Sequence, residues 1–205
     1  MDKYGLKATF NLNSGKFGTN SPYEPNGKVV DRRLIEPTQV KELYKNHEVA
    51  AHTVGHFNLT ELPDSCVVWQ VERDREMLET LTGKAVRCMA YPCGGVNNDE
   101  RVAALIKNNT PIAYVRTITS TYTFALQKGN LLRFNPTLHF LDKKTEAVVE
   151  EFLNLQTDEP QLLYIWGHSY ELDYDESRWQ RFEKLCKTLA SREDIFYGTN
   201  KECLL

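Results

Sequence analysis

No C-x-x-C pair, no basic run, no arginine-rich helix and no stretch of about 18 apolar residues occurs in this 205-residue chain. Each absence removes a class of protein. The five cysteines, Cys66, Cys88, Cys93, Cys186 and Cys203, are odd in number and scattered, which argues against a disulfide framework or a cysteine-based zinc site. Packed, reduced thiols are expected instead. A formal charge of −3 without clustered lysine or arginine supplies no phosphate-neutralising surface, so nucleic acid is not an expected partner. Without an apolar leader after a basic start, and without a span, the sequence as written reads as cytoplasmic, with no membrane partner. Its length suits one domain with a substantial core.

What is present is an alternation of strand-like and helix-like segments. Leu6 to Leu12 reads as a strand and is followed by a long polar loop over residues 13–33. Pro37 suits the first turn of a helix running to Asn46, and Glu48 to His52 reads as a buried strand. Val67, Val71, Leu78 and Leu81 keep helical spacing until Gly83, and Ala85 to Tyr91 follows as a strand. A helix with Val102, Leu105 and Ile106 leads to the strand Ile112 to Arg116. A less regular stretch, 120–141, holds a further strand near Leu131 to Phe134. A helix with Val148, Phe152 and Leu155 precedes the strand Leu162 to Trp166. Trp179, Phe182, Cys186 and Leu189 then mark a last long helix before a strand at Ile195 to Tyr197. This rhythm predicts an α/β fold, a distorted, incomplete (β/α) barrel of about six to seven mainly parallel strands.

Asn11, His52, Tyr91, Arg116 and His168 each fall at or just beyond the C-terminal end of a different predicted strand, the edge on which β/α barrels assemble their sites. His52 and His56, four positions apart, have the spacing to converge on one divalent ion, most plausibly zinc, but a catalytic zinc normally takes three protein ligands. Such an ion lowers the pKa of bound water from 15.7 toward about 7 and polarises a carbonyl. Thr53 between them either orients a ligand or serves as an ordinary turn residue. His168 directly after an apolar strand is placed to protonate a leaving group, with Glu171 and Asp173 near enough to orient its ring. Tyr91-Pro92-Cys93-Gly94-Gly95 sets a tight turn whose backbone N–H can serve an oxyanion. Arg116 needs a carboxylate or another anionic partner if buried. His139 fits a substrate contact, a surrogate ligand or packing.

Together these residues resemble the polysaccharide deacetylase family with the NodB homology domain, carbohydrate esterase family 4. His52-Thr53-Val54-Gly55-His56 resembles its H-[ST]-x-x-H metal motif, Ala90 to Gly94 its third motif, and Leu163 to His168 the strand with its catalytic histidine. The resemblance implies metal-dependent removal of acetyl groups from a carbohydrate substrate. It carries over His52 and His56 as metal ligands and His168 as catalytic acid, with the turn at Tyr91 and Cys93 on the oxyanion side; Arg116, which could also orient a catalytic carboxylate, and His139 join the substrate side on their own positions. Ala90 and Cys93 depart from the family's usual arginine and aromatic. The larger departure is at the start, where members open on T-[FY]-D-D, whose aspartates are the general base and the third metal ligand. No such pair is present. Met1 to Gly5 looks like the end of the helix after that strand, so residues 1–205 are expected to form a single, N-terminally truncated deacetylase domain. A Zn2+ site would then lack its third protein ligand, and an exposed strand edge favours a homodimer or marginal stability. Asp2 is expected at the opposite end from His52.

Overall fold

Four short parallel strands form the centre of the molecule in the order β1 (Thr9–Leu12), β2 (Glu48–Ala51), β3 (Cys88–Ala90) and β4 (Tyr114–Arg116). The computed structural model describes residues 1–205. Leu12 lies opposite Ala51, Ala51 opposite Met89, and Ala90 opposite Arg116, so the C-terminal ends of all four strands share one rim. A second parallel pair, β5 (Leu138–His139) and β6 (Ile165–Trp166), continues the curve. Phe134 lies alongside β4: its N–H donates to Val115 O, and its carbonyl accepts from Thr117 N–H. The result is an α/β fold with a curled, unclosed array of six strands, the expected incomplete barrel.

Six α-helices surround it: α1 (Val40–Leu43), α2 (Asp64–Thr82), α3 (Glu100–Asn109), α4 (Thr145–Leu153), α5 (Glu176–Leu189) and α6 (Asn200–Leu204). Asp99 and Asp175 cap α3 and α5 by accepting the Val102 and Arg178 N–H groups. Gly83 ends α2 at φ 71, a left-handed conformation that glycine adopts without steric cost. Val67, Val71 and Leu78 of α2 pack with Val102 and Ile106 of α3 onto Ala51, Met89 and Val115, all with no exposed surface. Burying each larger side chain contributes about 1.5–3 kcal/mol, so α2 and α3 hold the β2–β4 rim rigid.

The structure departs from the predicted elements in three places. Residues Leu131–Arg133 form a 3-10 turn, entered through Asn130 at φ 52, and only Phe134 reaches the sheet. The two-residue β5 replaces the longer strand expected there. Ile195 to Tyr197 is not a strand, because no strand lies alongside to pair with it. Instead the Tyr197 hydroxyl donates to Leu189 O, and Phe196 is 71% exposed. The loop over residues 13–33 gains partial order from antiparallel bridges between Asn20 and Arg33 and between Tyr23 and Val30. Asp2 faces His47 at 3.4 Å, just before β2 and so at the opposite end from His52, as expected. Asn200 N–H donates to Thr9 Oγ1 at 2.9 Å, and Lys201 N–H to Glu48 Oε2 at 3.1 Å, seating α6 against the starts of β1 and β2. No helix is long and apolar enough to cross a membrane.

Candidate active site

His52 follows the buried strand β2, and its position is fixed from three sides. Its backbone N–H donates to Asp74 Oδ2 at 2.8 Å, its carbonyl accepts from Asn13 Nδ2, and its ring Nδ1 lies 2.8 Å from Ala90 O. A carbonyl can only accept, so Nδ1 carries the ring proton and Nε2 keeps a free lone pair. Burial, then the neighbouring His56 ring, pushes the His52 pKa down to about 3, leaving the ring neutral at pH 7. The His56 ring stands 4.8 Å away, centroid to centroid, at 77°. It too is lowered, by burial and then by the charge of Lys16.

The loop between them is strained and pinned. Thr53 at φ 68 and His56 at φ 61 occupy the left-handed region that β-branched and bulky residues avoid. Thr53 Oγ1 accepts the His56 N–H at 3.0 Å, so the buried threonine orients the backbone. From α2, Gln70 Oε1 accepts the Gly55 N–H at 2.9 Å, and Asp74 Oδ1 accepts the Ser14 N–H at 2.7 Å. Burial, offset in part by these hydrogen bonds, raises the Asp74 carboxyl to about 6. Asp74 and Gln70 went unrecognised in the sequence. Their signal was two polar residues on the stripe Val67, Gln70, Val71, Asp74 and Leu78 that α2 buries.

Across the rim, Cys93 sits at φ 66 in the turn after β3, its Sγ 3.5 Å from His56 O and 3.9 Å from His56 Nδ1. Asn97 Nδ2 holds the turn by donating to Pro92 O at 3.0 Å and Cys93 O at 2.8 Å. The Cys93 N–H has no partner within the chain. Tyr91 does not reach the groove. Its side chain is 1% exposed and its hydroxyl donates to Leu132 O, so the strand pleat turns the ring into the core. Arg116 is buried at 6% exposure, stacks 4.3 Å over Trp166 and donates Nη1 to Thr117 O. No carboxylate of the chain pairs with it, and burial lowers its pKa.

His168 lies directly after β6 with its ring stacked on Tyr170 at 5.0 Å. Glu171 Oε2 accepts the His168 backbone N–H at 2.8 Å and lies 3.2 Å from His168 Nδ1 and 3.1 Å from His139 Nε2. Burial acts to raise the Glu171 carboxyl, but the two imidazoles outweigh it and hold the group well below the ordinary carboxylate range. Donor atoms of His139, His168 and Glu171 lie within 4.8 Å of one another, near enough to share an ion. Leu141 N–H, however, donates to His139 Nδ1 at 3.1 Å, which puts the neutral ring's proton on Nε2, facing the carboxylate. The trio therefore suits a hydrogen-bonded clamp on His168 better than a metal cage. Asp173 takes no part: its carboxylate accepts from Trp179 Nε1 at 3.0 Å. The free His52 Nε2 and the neutral His56 ring fit two ligands of a three-ligand zinc site.

A mainly parallel, unclosed α/β sheet of this kind matches the (β/α) barrel of the deacetylases. Residues 1–110 match the polysaccharide deacetylase family model, and the chain belongs to that family. Among solved structures it is similar to the Streptococcus pyogenes deacetylase PplD in complex with acetate, at 18% identity and TM-score 0.58 over 75% of this chain and 61% of that one. It is also similar to BA3943, a CE4 family pseudoenzyme from Bacillus anthracis, at 16% identity and TM-score 0.56 over 100% of this chain and 57% of that one. A third is BC0361, a polysaccharide deacetylase from Bacillus cereus, at 19% identity and TM-score 0.50 over 66% and 38% of the two chains. The chain thus spans between 38% and 61% of the length of these structures. No curated protein matches it.

Proposed function

We propose that this domain hydrolyses acetyl groups from a carbohydrate, with His52 and His56 as ligands to a divalent ion, most plausibly zinc, and His168 as the proton donor to the leaving group. The observation that carries the reading is the His52 ring itself, held neutral by burial, with Nδ1 spent on Ala90 O and Nε2 left free beside His56. A bound zinc would supply Lewis-acid polarisation of the acetyl carbonyl and an acidified water. The remaining steps fall to the chain's own groups. Glu171 and His139 orient the His168 ring, and the unpartnered Cys93 N–H is available to a developing oxyanion. Arg116 and Trp166 wall the site on the β4–β6 side.

The test is acetate release from N-acetylglucosamine oligomers with added zinc. H168A is expected to lower the rate by about 10²–10⁴-fold, and H52A or chelation to abolish it. Activity that survives chelation, or is unaffected by H168A, would overturn the mechanism.

A second reading, a catalytically silent relative that binds a sugar or a partner in the same groove, is favoured by one observation: no carboxylate acts on the His52 or His56 ring or pairs with Arg116. One similar structure is itself described as a pseudoenzyme. Oligosaccharide binding with no acetate release at any zinc concentration would select this reading.

A further inference from the structure

A cleft of about 450 Å³ lies between the metal-motif loop and the first turns of α2, lined by Phe57, Leu62, Ser65, Cys66, Trp69 and Gln70. That volume falls within the range of about 300–1,000 Å³ usual for small-molecule sites. Trp69 and Phe57 are 55% and 53% exposed, so two large aromatic side chains face water around one cleft instead of packing. Trp69 shares one face of α2 with Ser65 and Cys66, four and three positions before it. Phe57 follows His56 directly and packs against the loop, where a Cβ on Gly55 would meet Phe57 Cε2 at 2.3 Å.

The polar groups of the cleft are few and uncharged. Gln70 is 8% exposed, and its Oε1 accepts the Gly55 N–H at 2.9 Å, which fixes the orientation of the amide. Nε2 then has no acceptor within the chain, although it is not sealed from solvent. A side chain more than nine-tenths buried thus keeps a free donor toward the cleft it lines. The exposed Ser65 brings a hydroxyl to the rim. The carboxylates nearest in sequence are engaged elsewhere: Glu61 accepts from Asn58 Nδ2 at 3.0 Å, and Asp64 pairs with Arg101 at 2.6 Å. A ligand that fits has an apolar face for the aromatic rings, a neutral acceptor for the amide donor, and no charge.

From this geometry we propose that the cleft is a second sugar subsite, taking an N-acetylated pyranose unit of the same glycan whose acetylated sugar occupies the histidine groove. The C–H face of the ring stacks on Trp69, the acetamido carbonyl accepts from Gln70 Nε2, and the acetamido methyl rests on Phe57 and Leu62. The inference rests on reading the domain as one that binds an acetylated glycan. A neutral sugar amide meets every condition of the cleft at once. An apolar peptide side chain would instead cover the Gln70 donor and leave it unpaired, which is costly once water is excluded. Gln70 also ties the cleft to the histidine loop, since the amide that receives the sugar is the one that holds the Gly55 N–H.

The experiment uses Cys66 as a reporter, because it is exposed on the wall of the cleft while Cys88 and Cys186 are buried. Alkylation of each cysteine by iodoacetamide is followed by peptide mass spectrometry, with a β-1,4-linked N-acetylglucosamine tetramer or the glucose tetramer of the same linkage. No metal is added, so that binding is read without turnover. At about ten times its Kd, measured by calorimetry, the N-acetylated tetramer is expected to slow Cys66 alkylation about tenfold by mass action. The glucose tetramer, which lacks the acetamido group, should leave the rate unchanged. W69A should weaken calorimetric binding of the N-acetylated tetramer about tenfold, the scale of one lost aromatic contact. Protection of Cys66 in the unaltered protein keeps the test decisive if the variant disturbs α2. Equal protection by both tetramers, full affinity in W69A, or no binding of the N-acetylated tetramer would overturn the proposal. Acetate release, measured separately with zinc, tells the two readings apart. Binding without protection of Cys66 but with acetate release removes the subsite and keeps the enzyme, whereas protection without acetate release keeps the subsite and removes the enzyme.

Discussion

At the residue scale, the metal-motif histidine and the helix carboxylate behind it titrate in opposite senses. His52 is depressed from 6.5 to about 3, so its contribution to stability is full above pH 6.5 and is lost as pH falls toward 3. Asp74 is raised from 3.8 to about 6, so its contribution is full below pH 3.8 and is lost as pH rises toward 6. Between pH 4 and 6 the two slopes oppose each other, and little net change is expected from the pair. D74N removes one slope. Relative to the parent, the variant should be less stable at pH 4 than at pH 7 by on the order of 3 kcal/mol, read from urea melts at both pH values. An unchanged difference across that range would show that Asp74 does not titrate as described. Position was legible in the sequence where a strand runs out on a polar residue: His52, Arg116 and His168 stand at or just beyond the ends of β2, β4 and β6. That legibility failed where orientation decided. Tyr91 sits at a strand end but its ring faces the core, and Asp74 reads as one more polar residue of a helix until the helix is docked.

At the element scale, β6 places His168 through Gly167. A Cβ there would meet Phe140 Cδ1 and Cε1 at 1.9 Å, and Phe140 is buried at 7% exposure with little room to turn. G167A is therefore expected to destabilise by about 1–3 kcal/mol, read by chemical denaturation, and to lower acetate release by shifting the clamp that Glu171 closes on His168. A neutral effect on both would show that Phe140 repacks freely. Helices were legible because apolar spacing and the stop at Gly83 agree, and α2 runs from Asp64 to Thr82 as that pattern predicts. Short strands were less so. β5 is two residues long, below what periodicity can register, and Ile195 to Tyr197 has the composition of a strand without a neighbour to pair with. Strand formation depends on a partner that a local pattern does not contain.

At the scale of the whole molecule, β1 is an outer strand of its sheet, paired on one side by β2. An edge of this kind presents unpaired backbone groups to another chain, and a reversible dimer is the expected outcome in sedimentation velocity across a concentration series. A single monomeric species at all concentrations would count against it. The architecture as a whole was readable from the βα rhythm, but the small partners that complete it were not. α6 is one of these, lodged against Thr9 and Glu48 by its first backbone N–H groups and by the Lys7–Glu202 pair. Contacts so far apart in sequence set an order of assembly during synthesis. The start of β1 leaves the ribosome first, yet one of its partners arrives only when residues 200–202 emerge. At about 5–20 residues per second, that strand waits on the order of ten seconds or more, a window in which a chaperone has access to it.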